Sequence, residues 1–141
     1  MNTTLKTRSQ QAMEQAMRLV QEVAQSNNEQ AKQIYGSLCH DFPILVRTCG
    51  LCQAIAFSAD KAQSDDQTRA QAHQWLLQHV GKILGVETKG KGGKDDPLLT
   101  RVLQADALLY MLYTRQILHA WVYFKRFAVS ILGVKTGGAE R

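Results

Sequence analysis

The densest apolar run in the first half of the chain lies between Tyr35 and Lys61. Pro43 suits the first turn of a helix, because proline fixes φ and its missing N–H is not needed there. Asp41 precedes it as a candidate cap. Apolar residues then cover almost the whole helix circumference: Ile44, Leu45, Val46, Cys49, Leu51, Cys52, Ile55, Ala56, Phe57 and Ala59. A surface helix shows only one apolar stripe. The stretch therefore predicts a central helix from Pro43 to Lys61, in which Gly50 lets another helix approach closely.

The rest of the chain also repeats its apolar residues at three-to-four spacing, which is typical of helices. We predict helices over about residues 4–25, 28–39, 65–84, 97–103 and 105–132. The last two form one helix or two, with residues 104–106 as the favoured break. Ser64 and Gln67 fit a capping box, and Gly85 is a candidate stop. No segment alternates with period two. The sequence therefore predicts an all-α, single-domain bundle of five or six helices with a long C-terminal helix, spanning residues 1–141.

Two segments lack helical periodicity. Residues 86–96 contain three glycines and three lysines, which predicts a flexible basic loop. Residues 133–141 are expected to form a disordered tail.

The charge is concentrated in the second half of the chain. Residues 1–70 carry seven basic and seven acidic residues, whereas residues 71–141 carry ten and five, which accounts for the net charge of +5. On the last predicted helix Arg115, His119 and Arg126 follow at i, i+4 and i+11, with Lys125 alongside. This basic line is either a phosphate-contacting surface or an ordinary solvated face.

Several classes of protein are disfavoured by the same composition. The most apolar stretch, residues 107–127, contains Arg115, Gln116, His119, Lys125 and Arg126, which argues against a membrane span. The N-terminal residues show no apolar run of the kind that a signal peptide needs. An odd number of cysteines without an export signal argues against a disulfide framework. We expect a cytoplasmic protein with no membrane partner.

The cysteines form one candidate metal or redox motif. Cys49 and Cys52 make a C-x-x-C pattern, and Cys39 with His40 stands upstream. However, a zinc site usually takes its cysteine pairs from turns, whereas this pair lies inside an apolar helix, where free cysteines are commonly buried. We therefore expect no metal and no cofactor.

Two arginine–histidine pairs are the candidate catalytic residues. Arg115 precedes His119, and Arg69 precedes His73, with three residues between the members of each pair. HEPN ribonucleases place four to six residues between theirs, and no adjacent polar residue completes the motif here. No nucleophile–base set is found, so we expect no catalytic residues. A small HEPN-like ribonuclease stays open as an alternative.

The order of several motifs resembles a known family. The residues that carry the resemblance are Tyr35, Leu38, Phe42-Pro43, Gly50-Leu51, Ala54-Ile55-Ala56-Phe57 and Lys61, followed by Trp121 and Lys125-Arg126-Phe127-Ala128. In this order and spacing they resemble the small α-helical subunit of the Cmr-type (type III-B) CRISPR RNA-guided effector complex.

The resemblance implies a non-catalytic structural subunit that acts in antiviral defence. Its implied partners are the backbone subunit, the large subunit, further copies of itself, and the guide and target RNA. RNA cleavage belongs to the backbone subunit of such complexes, and nucleotide synthesis to the large subunit. Lys61, Lys125 and Arg126 match the family pattern as RNA-binding candidates, and charge and predicted exposure add the three further candidates Arg47, Lys82 and Arg115. A helical adaptor that binds only protein is a further alternative.

Overall fold

Six helices pack around one core in the computed structural model, which describes residues 5–88 and 96–138. They are α1 (Arg8–Ala24), α2 (Glu29–Cys49), α3 (Leu51–Lys61), α4 (Gln67–Leu84), α5 (Pro97–Gln104) and α6 (Ala107–Ser130). The described residues contain no strand. α6 packs against α1, α2 and α4, and α2 packs against α3 and α4 as well. The predicted all-α architecture with a long C-terminal helix is confirmed, and the favoured break at residues 104–106 separates α5 from α6.

Local sequence chemistry sets most helix ends. Asp96 caps α5 ahead of Pro97, and Gly85 ends α4 in the left-handed conformation, as predicted for Gly85. The predicted cap at Ser64 is wrong, because the Asp66 carboxylate accepts hydrogen bonds from the first turn of α4. α1 begins later than predicted, because Thr7 is extended and forms a capping box with the side chain of residue 10.

The largest departure from the sequence prediction concerns Pro43. α2 does not begin at this residue but runs through it, and the helix ends instead at Gly50, where φ is +91°. A proline inside a helix removes one backbone hydrogen bond and costs about 3 kcal/mol. Burial of Leu38, Phe42 and Val46 on the same helix offsets that cost. Tertiary packing therefore overrides the local preference of proline for a helix start.

Gly50 still permits the close approach that the sequence predicts, although it lies between two helices. The phenol oxygen of Tyr110, on α6, would lie 3.3 Å from a Cβ atom at Gly50. The same oxygen accepts a hydrogen bond from the backbone N–H of Cys52 at 3.1 Å. Tyr110 thereby ties the start of α6 to the start of α3.

Residues 133–138 return to α2, and residues 139–141 of the predicted disordered tail lie outside the described residues. Val134 is buried, and its carbonyl accepts a hydrogen bond from His40 Nε2 at 2.7 Å. Asp41, the predicted cap, instead accepts a hydrogen bond from the backbone N–H of Gly138 at 2.8 Å. Val134 also packs onto Gly36, where an added Cβ would lie 2.5 Å from its side chain.

The ends of the predicted basic loop are anchored to the bundle. Val86 is buried, and the hydroxyl of Thr88 donates to the carboxylate of Asp96 at 3.3 Å. The flexible character predicted for residues 86–96 stays a prediction. The three lysines of this segment, Lys89, Lys91 and Lys94, lie outside the described residues.

Two histidines are buried within the bundle as neutral groups. His79 Nδ1 lies 2.5 Å from the hydroxyl of Tyr35, and burial lowers the pKa of His79 to about 3. His73 Nδ1 lies 3.2 Å from Ser58 Oγ. Burial, with lesser effects from the nearby cations of Lys61 and Arg69, lowers the pKa of His73 to about 4.

We predict that Gly50→Ala destabilises the protein by about 1–3 kcal/mol, because the backbone at Gly50 lies in a region that essentially only glycine adopts. Urea denaturation should show a lower midpoint with an unchanged slope. Gln53→Ala, at an exposed position in the following helix, is the matched control and should change the midpoint little. An unchanged midpoint for Gly50→Ala would contradict the observed break.

We predict that the free energy of unfolding falls as the pH drops from about 6.5 to 5. His73 and His79 stay neutral in the folded state but take up protons in the unfolded chain below its pKa of about 6.5. Their contribution is complete above that pH and declines below it, by at most about 1.4 kcal/mol per pH unit for each histidine. Urea denaturation at several pH values measures this slope.

Histidine variants separate this effect from other titrations. His79→Gln should reduce the pH slope by about half, whereas His119→Gln, at an exposed position, should leave it unchanged. A stability profile that stays flat between pH 6.5 and 5 in the wild-type protein would refute the assignment of two neutral buried histidines.

Candidate nucleic-acid interface

A cleft of about 170 Å³ lies between α2 and α6. The residues that line it are Pro43 and Arg47 from α2, and Leu118, Trp121, Val122 and Lys125 from α6. Arg47 and Lys125 are both exposed, and Trp121 is fully buried. The cleft therefore combines one cation from each helix with mostly apolar walls and a buried indole.

Aromatic packing positions the α6 side of this cleft. The Trp121 ring stacks on Phe124 with 4.2 Å between centroids, and it contacts Phe42 of α2 at 5.2 Å. These contacts fix the rotation of α6 about its own axis. Because residues three or four apart share a helix face, Leu118 and Lys125 then lie one turn before and after Trp121 at the cleft.

The predicted basic line along α6 is exposed to solvent. Arg115, His119, Lys125 and Arg126 are all exposed. Arg115 and His119 also border a shallow depression, and Leu118 lines both this depression and the cleft. The depression and the cleft therefore adjoin. We call the exposed residues Arg115, His119, Lys125 and Arg126 the basic face of α6.

The other two predicted RNA-binding residues lie away from the cleft. Lys61 is in the last turn of α3, with its ammonium group 5.4 Å from the centre of the Phe57 ring, a cation–π contact. Lys82 is exposed in the last turn of α4. The structure thus brings Arg47 and Lys125 together and leaves Lys61 and Lys82 on other helices.

An apolar groove of about 340 Å³ forms a second surface feature, between α2, α3 and α4. Its apolar lining includes Leu38, Leu45 and Leu76, together with the exposed side chains of Ile44 and Phe57. Exposed apolar surface of this kind commonly marks a contact with another protein.

The first turns of α6 are also apolar and exposed. Leu108 and Met111 project outward, with 69% and 62% of their surface exposed. Leu109 and Leu112 are exposed as well, at 38% and 49%. No helix in the described part of the chain, α6 included, is long and apolar enough to cross a membrane.

The three cysteines lie in different environments. Cys39 is buried, Cys52 is half-buried and Cys49 is exposed. Burial raises the pKa of the Cys39 thiol to about 12, which keeps it protonated and unreactive. Within residues 5–88 and 96–138, no three histidine, cysteine or acidic side chains come together as a possible metal site.

The two arginine–histidine pairs also differ in access. His73 is fully buried and bonded to Ser58, so the Arg69–His73 pair is closed to a substrate. His119 is exposed and contacts Tyr123 edge-on, at 5.6 Å between ring centroids. The Arg115–His119 pair is therefore the accessible one, and it lies within the basic face of α6.

The cleft was not predicted from the sequence, although both of its cations were among the RNA-binding candidates. Arg47 was predicted on a helix that begins at Pro43, and Trp121 was predicted on the long C-terminal helix. The signal that could have indicated the cleft is Trp121, an aromatic residue with a polar N–H that stands one helical turn before Lys125.

The chain matches the family model of a CRISPR-associated protein, Cas_Cmr5, over residues 8–131. Because this match covers most of the chain, the protein belongs to the Cmr5 family, which confirms the family that the sequence motifs resemble. A curated relative, the CRISPR system Cmr subunit Cmr5 of Thermus thermophilus, is 30% identical over 128 residues, covering 91% of this chain and 98% of the relative.

A solved structure supports the same assignment. The crystal structure of a CRISPR-associated Cmr5 family protein from Thermus thermophilus matches with a TM-score of 0.70 and 29% identity. The match covers 89% of this chain and 98% of the crystallised one. The two chains therefore share their fold over nearly their whole lengths.

Proposed function

We propose that this protein is a non-catalytic structural subunit of a type III-B CRISPR ribonucleoprotein that supports guide and target RNA binding in antiviral defence. The observation that carries the proposal is a connected cationic surface on a member of the Cmr5 family. Arg47 and Lys125 flank the cleft, and Arg115 and Arg126 extend the cationic surface along α6. The name of the Thermus thermophilus relative, a Cmr subunit, supports the assignment to such a complex.

Electrostatic attraction is the proposed source of RNA affinity. Arginine and lysine side chains on helices contact phosphates and carry no base information, so binding is expected to be independent of RNA sequence. Base pairing by the guide RNA supplies the sequence specificity in RNA-guided complexes. The role of this subunit is then to hold the RNA backbone in place.

The apolar surfaces are the proposed contacts with other subunits. The groove between α2, α3 and α4 and the exposed first turns of α6 lie on different helices, which suits a chain that stacks against more than one neighbour. The proposed neighbours are further copies of this chain, the backbone subunit and the large subunit, within the cytoplasm.

The proposal assigns no catalytic residue to this chain. The exposed Arg115–His119 pair favours a ribonuclease as the second candidate function, because both side chains are accessible on one helix face. A general base also needs a partner that orients it and a nucleophile within reach. The sequence supplies no such set, and we assign Arg115 to phosphate contact.

We predict that the protein binds single-stranded RNA with an affinity that falls steeply as salt rises. Lys61→Ala/Lys125→Ala/Arg126→Ala should weaken binding by about tenfold or more at low salt, and each phosphate contact that is lost should reduce the salt slope by about 0.7. The matched control is Arg8→Ala/Arg18→Ala/Arg101→Ala. It removes the same charge from exposed positions on α1 and α5 and should weaken binding much less.

The same titration separates the alternatives when RNA integrity is followed on a gel. RNA that is cleaved by the wild-type protein but left intact by Arg115→Ala or His119→Ala would refute the non-catalytic assignment. Equal losses of affinity in the two triple variants would show that net charge, and not the proposed surface, governs binding. No binding at low salt would favour the adaptor that binds only protein.

We predict that the protein self-associates through the exposed first turns of α6. Sedimentation velocity should show faster-sedimenting species as concentration rises. Leu108→Gln/Leu112→Gln should abolish them, because it removes exposed apolar surface. Met13→Gln/Met17→Gln is the control, since these α1 side chains are exposed to 40% and 39%. A wild-type protein that stays strictly monomeric at high concentration would count against stacking.

A further inference from the structure

We propose that the cleft between α2 and α6 is a phosphate subsite that takes one backbone phosphate of single-stranded RNA. Arg47 and Lys125 supply the charge, and the indole N–H of Trp121 donates a hydrogen bond to a non-bridging phosphate oxygen. This inference rests on the proposed RNA-binding function and assigns it a specific site.

The first observation is an unpartnered donor on a residue that lines the cleft. Trp121 is 0% exposed and lines the cleft, and its Nε1–H has no hydrogen-bond acceptor within residues 5–88 and 96–138. Buried polar groups in folded proteins are nearly always hydrogen-bonded, and an exception calls for an explanation. An indole can only donate, so the group that completes this site must be an acceptor.

The second observation is the charge around this donor. Arg47 and Lys125 come from different helices, and neither makes an ion pair with a carboxylate of the described residues. An anion is therefore the acceptor that the surrounding charge favours. The apolar side chains of Pro43, Leu118 and Val122 line the cleft beside these cations, and low-polarity surroundings strengthen the attraction between cations and a bound anion.

A phosphate satisfies these donors better than a carboxylate does. The guanidinium fork of Arg47 matches two oxygens of a tetrahedral phosphate, and further lone pairs stay available to the ammonium and indole groups. The basic face of α6 adjoins the cleft through Leu118. Neighbouring phosphates of one strand can therefore contact Arg115 or Arg126, which favours a polynucleotide over a free phosphate ion or an acidic peptide.

The indole N–H signal of Trp121 in a proton–nitrogen NMR spectrum tests the subsite directly. The chain has two tryptophans, and Trp75→Phe assigns the two indole signals. Inorganic phosphate, added at constant ionic strength against chloride, should move the Trp121 proton signal downfield in a saturable way. A short single-stranded oligouridylate should move it in the same direction at lower concentration.

Variants connect this signal to the two cations. Arg47→Ala and Lys125→Ala should each weaken phosphate binding by about tenfold, because each removes a hydrogen-bonding partner of a charged group. Arg101→Ala, which removes an exposed cation from α5, is the control and should leave the titration unchanged.

Four results would overturn the subsite. They are a Trp121 signal that phosphate does not move, an Arg47→Ala titration with the same midpoint as the wild type, an equal movement with acetate, and a movement with phosphate or an oligoglutamate peptide but not with oligouridylate. Oligouridylate that binds in a salt-dependent manner without moving the Trp121 signal would reject the subsite and leave the proposed function intact. Phosphate that moves the signal in a protein that binds no RNA would reject the proposed function itself.

Discussion

The contact on which the rest of the structure depends is the aromatic stack that joins α2, α4 and α6. Phe42 of α2 meets Trp121, Trp121 stacks on Phe124, and Phe124 stacks on His79 of α4, with centroid distances of 5.2, 4.2 and 5.8 Å. Phe42 reaches this stack because α2 continues through Pro43. The stack therefore fixes both the path of α2 and the rotation of α6, and with them the cleft.

The parts of the fold that depend on local chemistry could be predicted from the sequence. Gly85 and the Asp96-Pro97 pair set helix ends through their own backbone preferences, and the structure agrees at both places. The sequence predicted a helix start at Pro43 and a helix interior at Gly50, whereas α2 runs through Pro43 and ends at Gly50. Burial of the residues on either side decides where this helix ends. Propensity is a weak guide where tertiary packing opposes it, and no local pattern shows which residues will be covered.

The exposure of individual residues in the candidate site could be predicted from the sequence, but their relative positions in space could not. Charge and periodicity were enough to expect Arg47, Arg115 and Lys125 to be exposed, and all three are. Their relative positions depend on how α6 packs on α2, which a single sequence does not specify. The return of residues 133–138 to Asp41 escaped prediction for the same reason, because the acceptor lies on a helix distant in sequence.

Trp121 connects the stability of this fold to the proposed binding of RNA. Its ring is part of the core, yet its N–H is left without an acceptor in the described structure. A buried donor of this kind costs the folded state about 1–3 kcal/mol. A phosphate in the cleft would remove that penalty, so that ligand binding and folding become linked. Natural proteins depart from full hydrogen-bond satisfaction chiefly at functional sites, and Trp121 lines the same cleft as the exposed cations Arg47 and Lys125.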